Sequence, residues 1–181
     1  MRVLHLTDPH LFADRQGALR GAVTYDTLRS VIRHCRESDF EADFIALTGD
    51  IVQDDTAEAY GHCRDLVSSL GLPVLCVPGN HDVRHLMREL LPDPPFSYCD
   101  SLETGDWLIV GIDSCSAGRA GGKIAEKELR RMDETIAASS AGHVMICLHH
   151  PPVPMHSKWL DTVGLDNGGE FLVRAASAGR V

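Results

Sequence analysis

The sequence predicts an α/β protein built on a parallel β-sheet that is covered by helices on both sides. Apolar runs of strand length alternate with amphipathic stretches of helix length from the first residues onward. The strand-like runs are apolar at consecutive positions, as in strands that are buried on both faces. A chain of 181 residues with 44% hydrophobic residues is also large enough to bury one substantial core.

The first half of the chain has a regular strand–helix–strand order. Leu28, Val31, Ile32 and Cys35 recur at the spacing of a helix face, and Gly71 closes the next amphipathic stretch. The pattern predicts strands at 2–7, 43–48 and 73–77, separated by helices at 25–38 and 56–70.

The second half is less regular, and we expect its strands to form a second sheet. The pattern predicts strands at 106–113 and 143–148 and helices at 126–140 and 169–177. The last four residues, AGRV, are typical of a turn that enters another strand, so an α/β unit would be cut in its middle.

Composition excludes several classes of partner. A formal net charge of −9 gives no long-range attraction to nucleic acid or to an anionic membrane. The opening segment MRVLHLTDPH is neither a secretory signal nor a membrane span, which predicts a cytoplasmic protein. The six cysteines form no CxxC pair, and we expect them to be reduced thiols.

Polar side chains follow four of the predicted strands, at the point where each strand ends. Because the carboxyl ends of parallel strands meet at one edge of a sheet, these side chains are expected to converge on one pocket. The four segments are Asp8-Pro9-His10, Gly49-Asp50, Gly79-Asn80-His81-Asp82 and His149-His150-Pro151.

The residue types in these segments are those that bind Mn²⁺, Fe²⁺ or Zn²⁺, because they offer carboxylate, imidazole and amide groups without thiolates. In an extended segment Asp8 and His10 would point the same way and could bind one ion. Gly49 and Gly79 would let the backbone turn sharply and approach the site. Each segment alone is also typical of an ordinary turn or loop, but four of them at successive strand ends favour a metal site.

The order of these motifs, D-x-H, G-D, G-N-H-D and H-x-P, resembles that of the calcineurin-like metallophosphoesterases. The stretches LTDPHLFAD, ALTGDIVQDDTAEAY and LHHPPVPMHSKWLDTVGLDNGGEF are more specifically similar to the bacterial class III cyclic-nucleotide phosphodiesterases. The resemblance implies an αββα sandwich and hydrolysis of a small phosphodiester, with 3′,5′-cyclic AMP as the expected substrate.

The resemblance also implies a set of metal ligands for two divalent ions, with Fe²⁺ or Mn²⁺ expected and Zn²⁺ as an alternative. Asp8 and His10 would bind the first ion, and Asp50 would bridge both. Asn80 and His149 would bind the second ion, and Asn80 would also contact the substrate phosphate.

The resemblance also decides between the two adjacent histidines. His149 is preferred over His150 because the family pattern is histidine, any residue, proline. Three further residues, His81, Asp82 and Asp54, obtain roles outside the metal ligands. His81 would bind no metal but would face the phosphate and stabilise or protonate the departing oxygen. Asp82 or Asp54 would orient His81 by a hydrogen bond. The attacking group would be a hydroxide bridging two ions about 3.5–4 Å apart.

One part of the family pattern is absent from this sequence. The family completes its site with G-H-x-H on a later strand, and residues 1–181 contain no such motif. We therefore expect residues 1–181 to be a single metallophosphoesterase domain that stops before its last strands. Such a form should bind metal weakly and turn over substrate poorly, and its unpaired sheet edge could support a homodimer.

Two alternatives remain at this point. The same metal centre could act on another phosphodiester or on a phosphomonoester, because loops determine which substrate is accepted. The chain could also be a binding module that keeps the fold without catalysis.

Overall fold

The computed structural model of the protein describes residues 1–39 and 41–181. Within these residues the regular elements follow one another in this order: β1 (Val3–Leu6), β2 (Ala18–Leu19), β3 (Ala22–Val23), α1 (Thr24–Glu37), β4 (Phe44–Thr48), α2 (Ala57–Ser68), β5 (Val74–Val77), α3 (Arg84–Leu90), β6 (Phe96–Tyr98), β7 (Ser101–Thr104), β8 (Trp107–Gly111), α4 (Glu126–Ala138), β9 (His143–Cys147), a 3₁₀ turn (Leu160–Thr162) and α5 (Gly168–Ser177).

The strands form two main sheets and one small hairpin. The first sheet is fully parallel and has the order β1-β4-β5-β6. The second has the order β7-β8-β9, with β7 antiparallel and β9 parallel to β8. The hairpin joins β2 and β3 through Arg20 and Gly21, which both have positive φ. The expected second sheet is therefore present.

The core has three layers of packing, which together make an αββα sandwich. Helices α1, α2 and α3 cover the outer face of the first sheet, where Tyr60 and Met87 are fully buried. Helices α4 and α5 cover the outer face of the second sheet through residues such as Met132 and Phe171. Between the sheets lies a smaller cluster made by Phe44, Ala46, Leu75, Ile109 and Cys147. The αββα sandwich implied by the family resemblance is thus confirmed. The expectation that helices cover both faces of the parallel sheet is wrong, because the second sheet packs against one of those faces.

Local sequence explains where the helices lie. Leu28 and Ile32 of α1 are four residues apart and are both buried, as expected for one face of an amphipathic helix. Helix α2 begins after Thr56, whose hydroxyl accepts a hydrogen bond from the backbone N–H of Ala59 at 3.3 Å. The predicted and observed ends of these helices differ by one or two residues.

The sequence pattern missed the short strands. Strand β6 has only three residues and follows Pro92, Pro94 and Pro95, so that no alternating pattern precedes it. Its pairing is continued by the carbonyl of Pro95, which accepts a hydrogen bond from Val74 at 2.7 Å. Proline can supply this acceptor although it has no N–H to donate.

Three general features complete the fold. No helix in the described ranges is long and apolar enough to cross a membrane. All six cysteines are free, as expected. The edge strands among the described residues are β1 and β6 in the first sheet and β7 and β9 in the second. The backbone N–H of Val144 in β9 donates to the carbonyl of Arg180 at 2.8 Å. The end of the chain therefore runs beside the free edge of the second sheet.

Candidate metal centre

The four polar segments singled out in the sequence meet at one cleft. The cleft has a volume of about 690 Å³ and is lined, among others, by Asp8, His10, Asp50, Asn80, His81 and His149. Three of the segments follow β1, β4 and β5 of the first sheet, whereas His149 follows β9 of the second sheet. The expectation that all four ends share the edge of one sheet is therefore wrong. They converge because the two sheets pack face to face.

The carboxylate of Asp50 is the centre of the arrangement and is almost fully buried. Its Oδ2 lies 3.8 Å from Nε2 of His10, and its Oδ1 lies 3.6 Å from Nε2 of His149. Nε2 of His10 also lies 3.8 Å from Oδ1 of Asp8. These separations are too long for hydrogen bonds.

The same separations are suitable for a shared cation. Two ligand atoms that are each about 2.1 Å from one ion lie at most about 4.2 Å apart. The donor atoms of Asp8, Asp50 and His149 all lie within 4.8 Å of one another, and so do those of His10, Asp50 and His81. Asp50 belongs to both groups, as a bridging ligand would. The groups divide the other residues differently from the expected sites, which paired Asp8 with His10 and Asn80 with His149.

The hydrogen bonds of the two adjacent histidines distinguish them. Nδ1 of His149 lies 2.9 Å from the carbonyl oxygen of Thr48 and must donate to it, which leaves the Nε2 lone pair free to bind metal. Nε2 of His150 donates to the carbonyl of Ala120 at 3.1 Å, and Nδ1 accepts from the hydroxyl of Ser114 at 2.8 Å. Both ring nitrogens of His150 are therefore occupied.

The protonation of His150 agrees with this structural role. The imidazole is buried, and this desolvation is the main cause that lowers its pKa, with the neighbouring His149 acting in the same direction. A neutral ring is the form that can accept from Ser114 and donate to Ala120 at the same time.

The loop that carries Asp8 and His10 is not extended, contrary to expectation. Asp8 and His10 have φ values of 53° and 44°, and Asp50 has 48°, a region that few non-glycine residues adopt. Backbone hydrogen bonds hold the two loops in this conformation, from Asp8 to Gly49 at 3.1 Å and from His10 to Asp50 at 3.0 Å. Both side chains face Asp50 because of this left-handed backbone and not because of strand alternation.

Two glycines allow the loops to approach each other. A Cβ atom on Gly79 would lie 2.2 Å from Oδ1 of Asp50 and 2.3 Å from its backbone nitrogen. A Cβ atom on Gly49 would meet Nδ1 of His149 at 2.6 Å, and Gly49 also has φ of +91°. The expectation of a close approach at both glycines is confirmed.

His81 stands at the open side of the group, with its ring centroid 5.0 Å from that of His10. Its backbone N–H donates to Oδ1 of Asp50 at 2.9 Å, and its Nδ1 lies 3.5 Å from the side-chain amide nitrogen of Gln53. Because a nitrogen of His81 lies within 4.8 Å of the donor atoms of His10 and Asp50, the residue is close enough to share a cation with them.

Neither of the carboxylates expected to orient His81 is bonded to its ring. Asp54 accepts from the backbone of Ala13 at 2.7 Å and from the hydroxyl of Thr56 at 2.7 Å. Both oxygens of Asp82 are occupied by other donors. The sequence placed these carboxylates near the site, but their hydrogen bonds go to the loops around it, and Gln53 is the side chain beside the imidazole instead.

Asp82 joins the loop after β5 to the loop after β4. Its Oδ1 accepts from the backbone of Ile51 at 3.0 Å and from the hydroxyl of Tyr60 at 3.0 Å, and its Oδ2 accepts from the backbone of Gly79 at 2.9 Å. Burial raises the pKa of Asp82 to about 6, while the hydrogen bonds from Gly79 and Tyr60 act to lower it. This carboxylate therefore fixes the spacing between Asp50 and the segment that carries His81.

The residues present fit a pair of divalent ions. Nε2 of His10, the nitrogen that faces Asp8 and Asp50 at 3.8 Å, makes no hydrogen bond to the described residues and is free to bind a cation. Mixed imidazole and carboxylate ligands suit Mn²⁺, Fe²⁺ and Zn²⁺. A second cleft of about 640 Å³ lies beside Arg64 and Pro94 and contains none of the expected ligands, so cleft volume alone does not identify the site.

Further residues line the cleft that the sequence analysis did not assign. They include the half-buried Gln53, the exposed Trp159 and the hairpin residues Leu19 and Arg20. Gln53 follows Asp50 by three residues, a spacing that could have indicated it. The hairpin gave no signal, because it has only two residues in each strand.

The fold and the site together define a calcineurin-like phosphoesterase, and the chain belongs to that family. The sequence model of the family matches residues 1–174.

Among curated proteins, the chain is similar to the 3′,5′-cyclic adenosine monophosphate phosphodiesterase CpdA of Escherichia coli K12. The two are 34% identical over 172 residues, which cover 94% of this chain and 62% of the relative. CpdA of Haemophilus influenzae is 33% identical over 172 residues, with coverage of 94% and 63%. A probable cyclic nucleotide phosphodiesterase of Synechococcus, syc0937_d, is 31% identical, with coverage of 95% and 66%. The chain thus spans about three fifths of the length of the two CpdA relatives.

A solved structure supports the fold. The protein TT1561 of Thermus thermophilus superposes with a TM-score of 0.62, covering 97% of this chain and 78% of that one. Their sequences are 17% identical, so this similarity bears on the fold alone.

Proposed function

We propose that the protein is a metal-dependent phosphodiesterase that hydrolyses 3′,5′-cyclic AMP. The observation that carries the proposal is the position of Asp50, whose two carboxylate oxygens each face a different histidine at 3.6 and 3.8 Å. The relatives named as cyclic-nucleotide phosphodiesterases support the choice of substrate. Because the two sheets pack on a common layer, we also propose that residues 1–181 belong to one domain.

The proposed ligands are Asp50 and four residues that line the same cleft. Asp8 and His10 would hold one ion and Asn80 and His149 the other, with Asp50 shared between them. Fe²⁺ and Mn²⁺ suit this oxygen-rich set best, and Zn²⁺ is an alternative. When bound, such ions supply positive charge against the phosphoryl oxygens and lower the pKa of a bound water.

The chain's own residues would prepare the site for this chemistry. The carbonyl of Thr48 holds the proton of His149 on Nδ1, so the free Nε2 points at Asp50. Asp50 also accepts the backbone N–H of His81, which fixes the imidazole at the mouth of the cleft. Asn80 would contact the phosphate of the substrate from the same segment.

His81 would act on the departing oxygen. Its ring is exposed to the cleft, with the side-chain amide of Gln53 beside Nδ1, so Nε2 is left to face the substrate. A water-derived hydroxide would form a new bond to phosphorus while the bond to the ribose 3′-oxygen breaks, and the imidazolium form of His81 would give its proton to the departing oxygen and become neutral. The leaving group remains attached to the same nucleotide, so the product is 5′-AMP.

The test compares metal binding and turnover in matched variants. The chain is loaded with Mn²⁺, bound metal is counted by electron paramagnetic resonance, and hydrolysis of cyclic AMP, a glycerophosphodiester and a phosphomonoester is followed. We expect Mn²⁺-dependent hydrolysis that prefers cyclic AMP. Asp50→Asn should lose at least about 100-fold in turnover and most of its bound Mn²⁺.

Variants of two histidines separate catalysis from metal binding. His81→Ala should lose turnover by roughly 100-fold or more while retaining most of the Mn²⁺. His85→Ala provides the control, because the side chain of His85 is exposed on α3 and makes no hydrogen bond to the described residues. Absence of Mn²⁺ binding by the wild-type chain, or equal turnover by Asp50→Asn, would contradict the proposal.

A further inference from the structure

Trp159 lies on the rim of the cleft and is unusually open to solvent. Its relative exposure is 66%, although it lines the same cleft as Asp50 and His149. Leu160 and Val163 continue the apolar wall beside it. An exposed indole beside the proposed metal centre offers a flat apolar surface. The part of a substrate next to its metal-bound phosphate would lie on that surface.

The backbone that carries Trp159 is held in place before any ligand arrives. The carbonyl of Trp159 accepts from the backbone and from the hydroxyl of Thr162, at 3.0 and 2.7 Å. The carboxylate of Asp161 accepts from the backbone of Met155 at 2.7 Å, and Leu165 donates to Pro151 at 3.0 Å. Because the loop is already ordered, stacking on the indole would cost little conformational entropy.

The β2–β3 hairpin adds an apolar side chain and a cation to the same cleft. Leu19 and Arg20 line it together with Asp8 and His10. Arg20 is the only arginine or lysine among the described residues that line the cleft, and it forms no ion pair within the described part of the chain. In a protein with net charge −9, this guanidinium adds to the attraction that bound cations would exert on an anionic ligand.

We propose that Trp159 is the stacking platform for the nucleobase of a purine nucleotide, with Leu19 and Arg20 contacting the same ligand from the hairpin. The assignment rests on the proposed function, because it takes the phosphodiester at the metal centre as the fixed end of the ligand. A base stacks on an aromatic side chain through its π-face, and a guanidinium stacks on aromatic rings while its charge attracts the phosphate.

The first experiment measures kcat and KM for two substrates that differ only in the base. Cyclic AMP carries adenine, whereas ribose 3′,5′-cyclic phosphate has the same reacting bonds and no base. Trp159→Ala should raise KM for cyclic AMP by roughly 5- to 150-fold, the range of base–aromatic stacking. It should change kcat/KM for the base-free diester by less than about twofold. Trp159→Phe keeps an aromatic ring and should have a KM for cyclic AMP close to that of the wild type.

A second variant controls for damage to the loop. Met155 is on the same loop and is 50% exposed, but it does not line the cleft. Met155→Ala should leave KM for both substrates unchanged. An equal loss for cyclic AMP and the base-free diester in Trp159→Ala would assign Trp159 to loop structure and overturn the proposal, as would unchanged KM for both.

Tryptophan fluorescence tests the same contact without turnover. The chain has two tryptophans, and Trp107 lies in β8 with its ring stacked on His143 at 4.8 Å. In Trp107→Phe, cyclic AMP should quench the remaining indole, and ribose 3′,5′-cyclic phosphate should not. Quenching by cyclic AMP in a chain that does not hydrolyse it would refute the proposed function and retain the base site. No quenching, with hydrolysis intact, would refute the base site alone.

Discussion

The hydroxyl of Tyr60 donates a hydrogen bond to Oδ1 of Asp82 at 3.0 Å, and it accepts one from the backbone of Val83 at 2.8 Å. Tyr60 is fully buried in α2, so it links the helical layer to the loop that carries Asn80 and His81. Both loops at the metal centre are thereby tied to one rigid helix.

Tyr60→Phe should destabilise the fold by about 1–3 kcal/mol, because it removes both hydrogen bonds of a buried hydroxyl. Urea unfolding followed by circular dichroism measures the change. Tyr25→Phe is the control, since the hydroxyl of Tyr25 makes no hydrogen bond to the residues that the structure describes. Equal stabilities of the two variants would show that the Tyr60 hydroxyl does not hold the loop.

Asp82→Asn should change how stability depends on pH in the metal-free chain. The folded-state pKa of Asp82 is raised to about 6 from 3.8, so the folded chain holds this proton more tightly than the unfolded chain. The resulting stabilisation is fully present below about pH 4 and is lost as pH rises through about 6. Asp82→Asn should lack this decline.

The comparison for that measurement is Asp65→Asn, because Asp65 is exposed on α2. Urea unfolding at steps between pH 4 and pH 7 should give parallel curves for the wild type and Asp65→Asn. A decline in Asp82→Asn as steep as in the wild type would assign the pH dependence to other groups.

Gly79→Ala should lower the affinity for Mn²⁺ by more than its loss of fold stability accounts for. The new Cβ would lie 2.2 Å from Oδ1 of Asp50, so the carboxylate or the loop must move. Overpacking of this kind costs roughly 1–3 kcal/mol in unfolding free energy. Calorimetric titration with Mn²⁺ should show at least about tenfold weaker binding.

Gly61→Ala provides the matched substitution in α2, where a Cβ would meet nothing within 4 Å. It should stabilise the fold by about 0.5–1 kcal/mol, because alanine is the better helix former, and leave Mn²⁺ affinity unchanged. Full Mn²⁺ affinity in Gly79→Ala would contradict the requirement for a close approach at Gly79.

The sequence predicted the long elements and which polar residues gather in the cleft, but it did not predict how the loops are bent. Strand–helix periodicity and polar residues at strand ends are local signals, so Asp50 and His149 could be chosen without coordinates. The positive φ of Asp8 and His10 depends on hydrogen bonds to Gly49 and Asp50, about 40 residues away in the sequence. Contacts of this separation leave no local pattern.

The hydrogen-bond partners of the carboxylates were the feature that the sequence predicted least well. Asp82 and Asp54 were expected beside the imidazole of His81, yet burial and backbone donors determined their contacts. A carboxylate near buried N–H groups binds those groups first, because each would otherwise be unsatisfied. Only the packing of two loops shows which N–H groups are near.

Ser114→Ala should destabilise the fold without removing a metal ligand. Ser114 is fully buried, donates to Nδ1 of His150 at 2.8 Å and accepts from the backbone of His150 at 3.3 Å. Its loss leaves two buried polar atoms of His150 without partners, which should cost about 1–3 kcal/mol in unfolding free energy. Mn²⁺ stoichiometry should stay as in the wild type, because His150 has both ring nitrogens engaged away from Asp50.

Ser116→Ala serves as the control, since the hydroxyl of Ser116 makes no hydrogen bond within the described residues. A lower Mn²⁺ stoichiometry in Ser114→Ala at temperatures where the variant is folded would mean that His150 takes part in the metal centre after all.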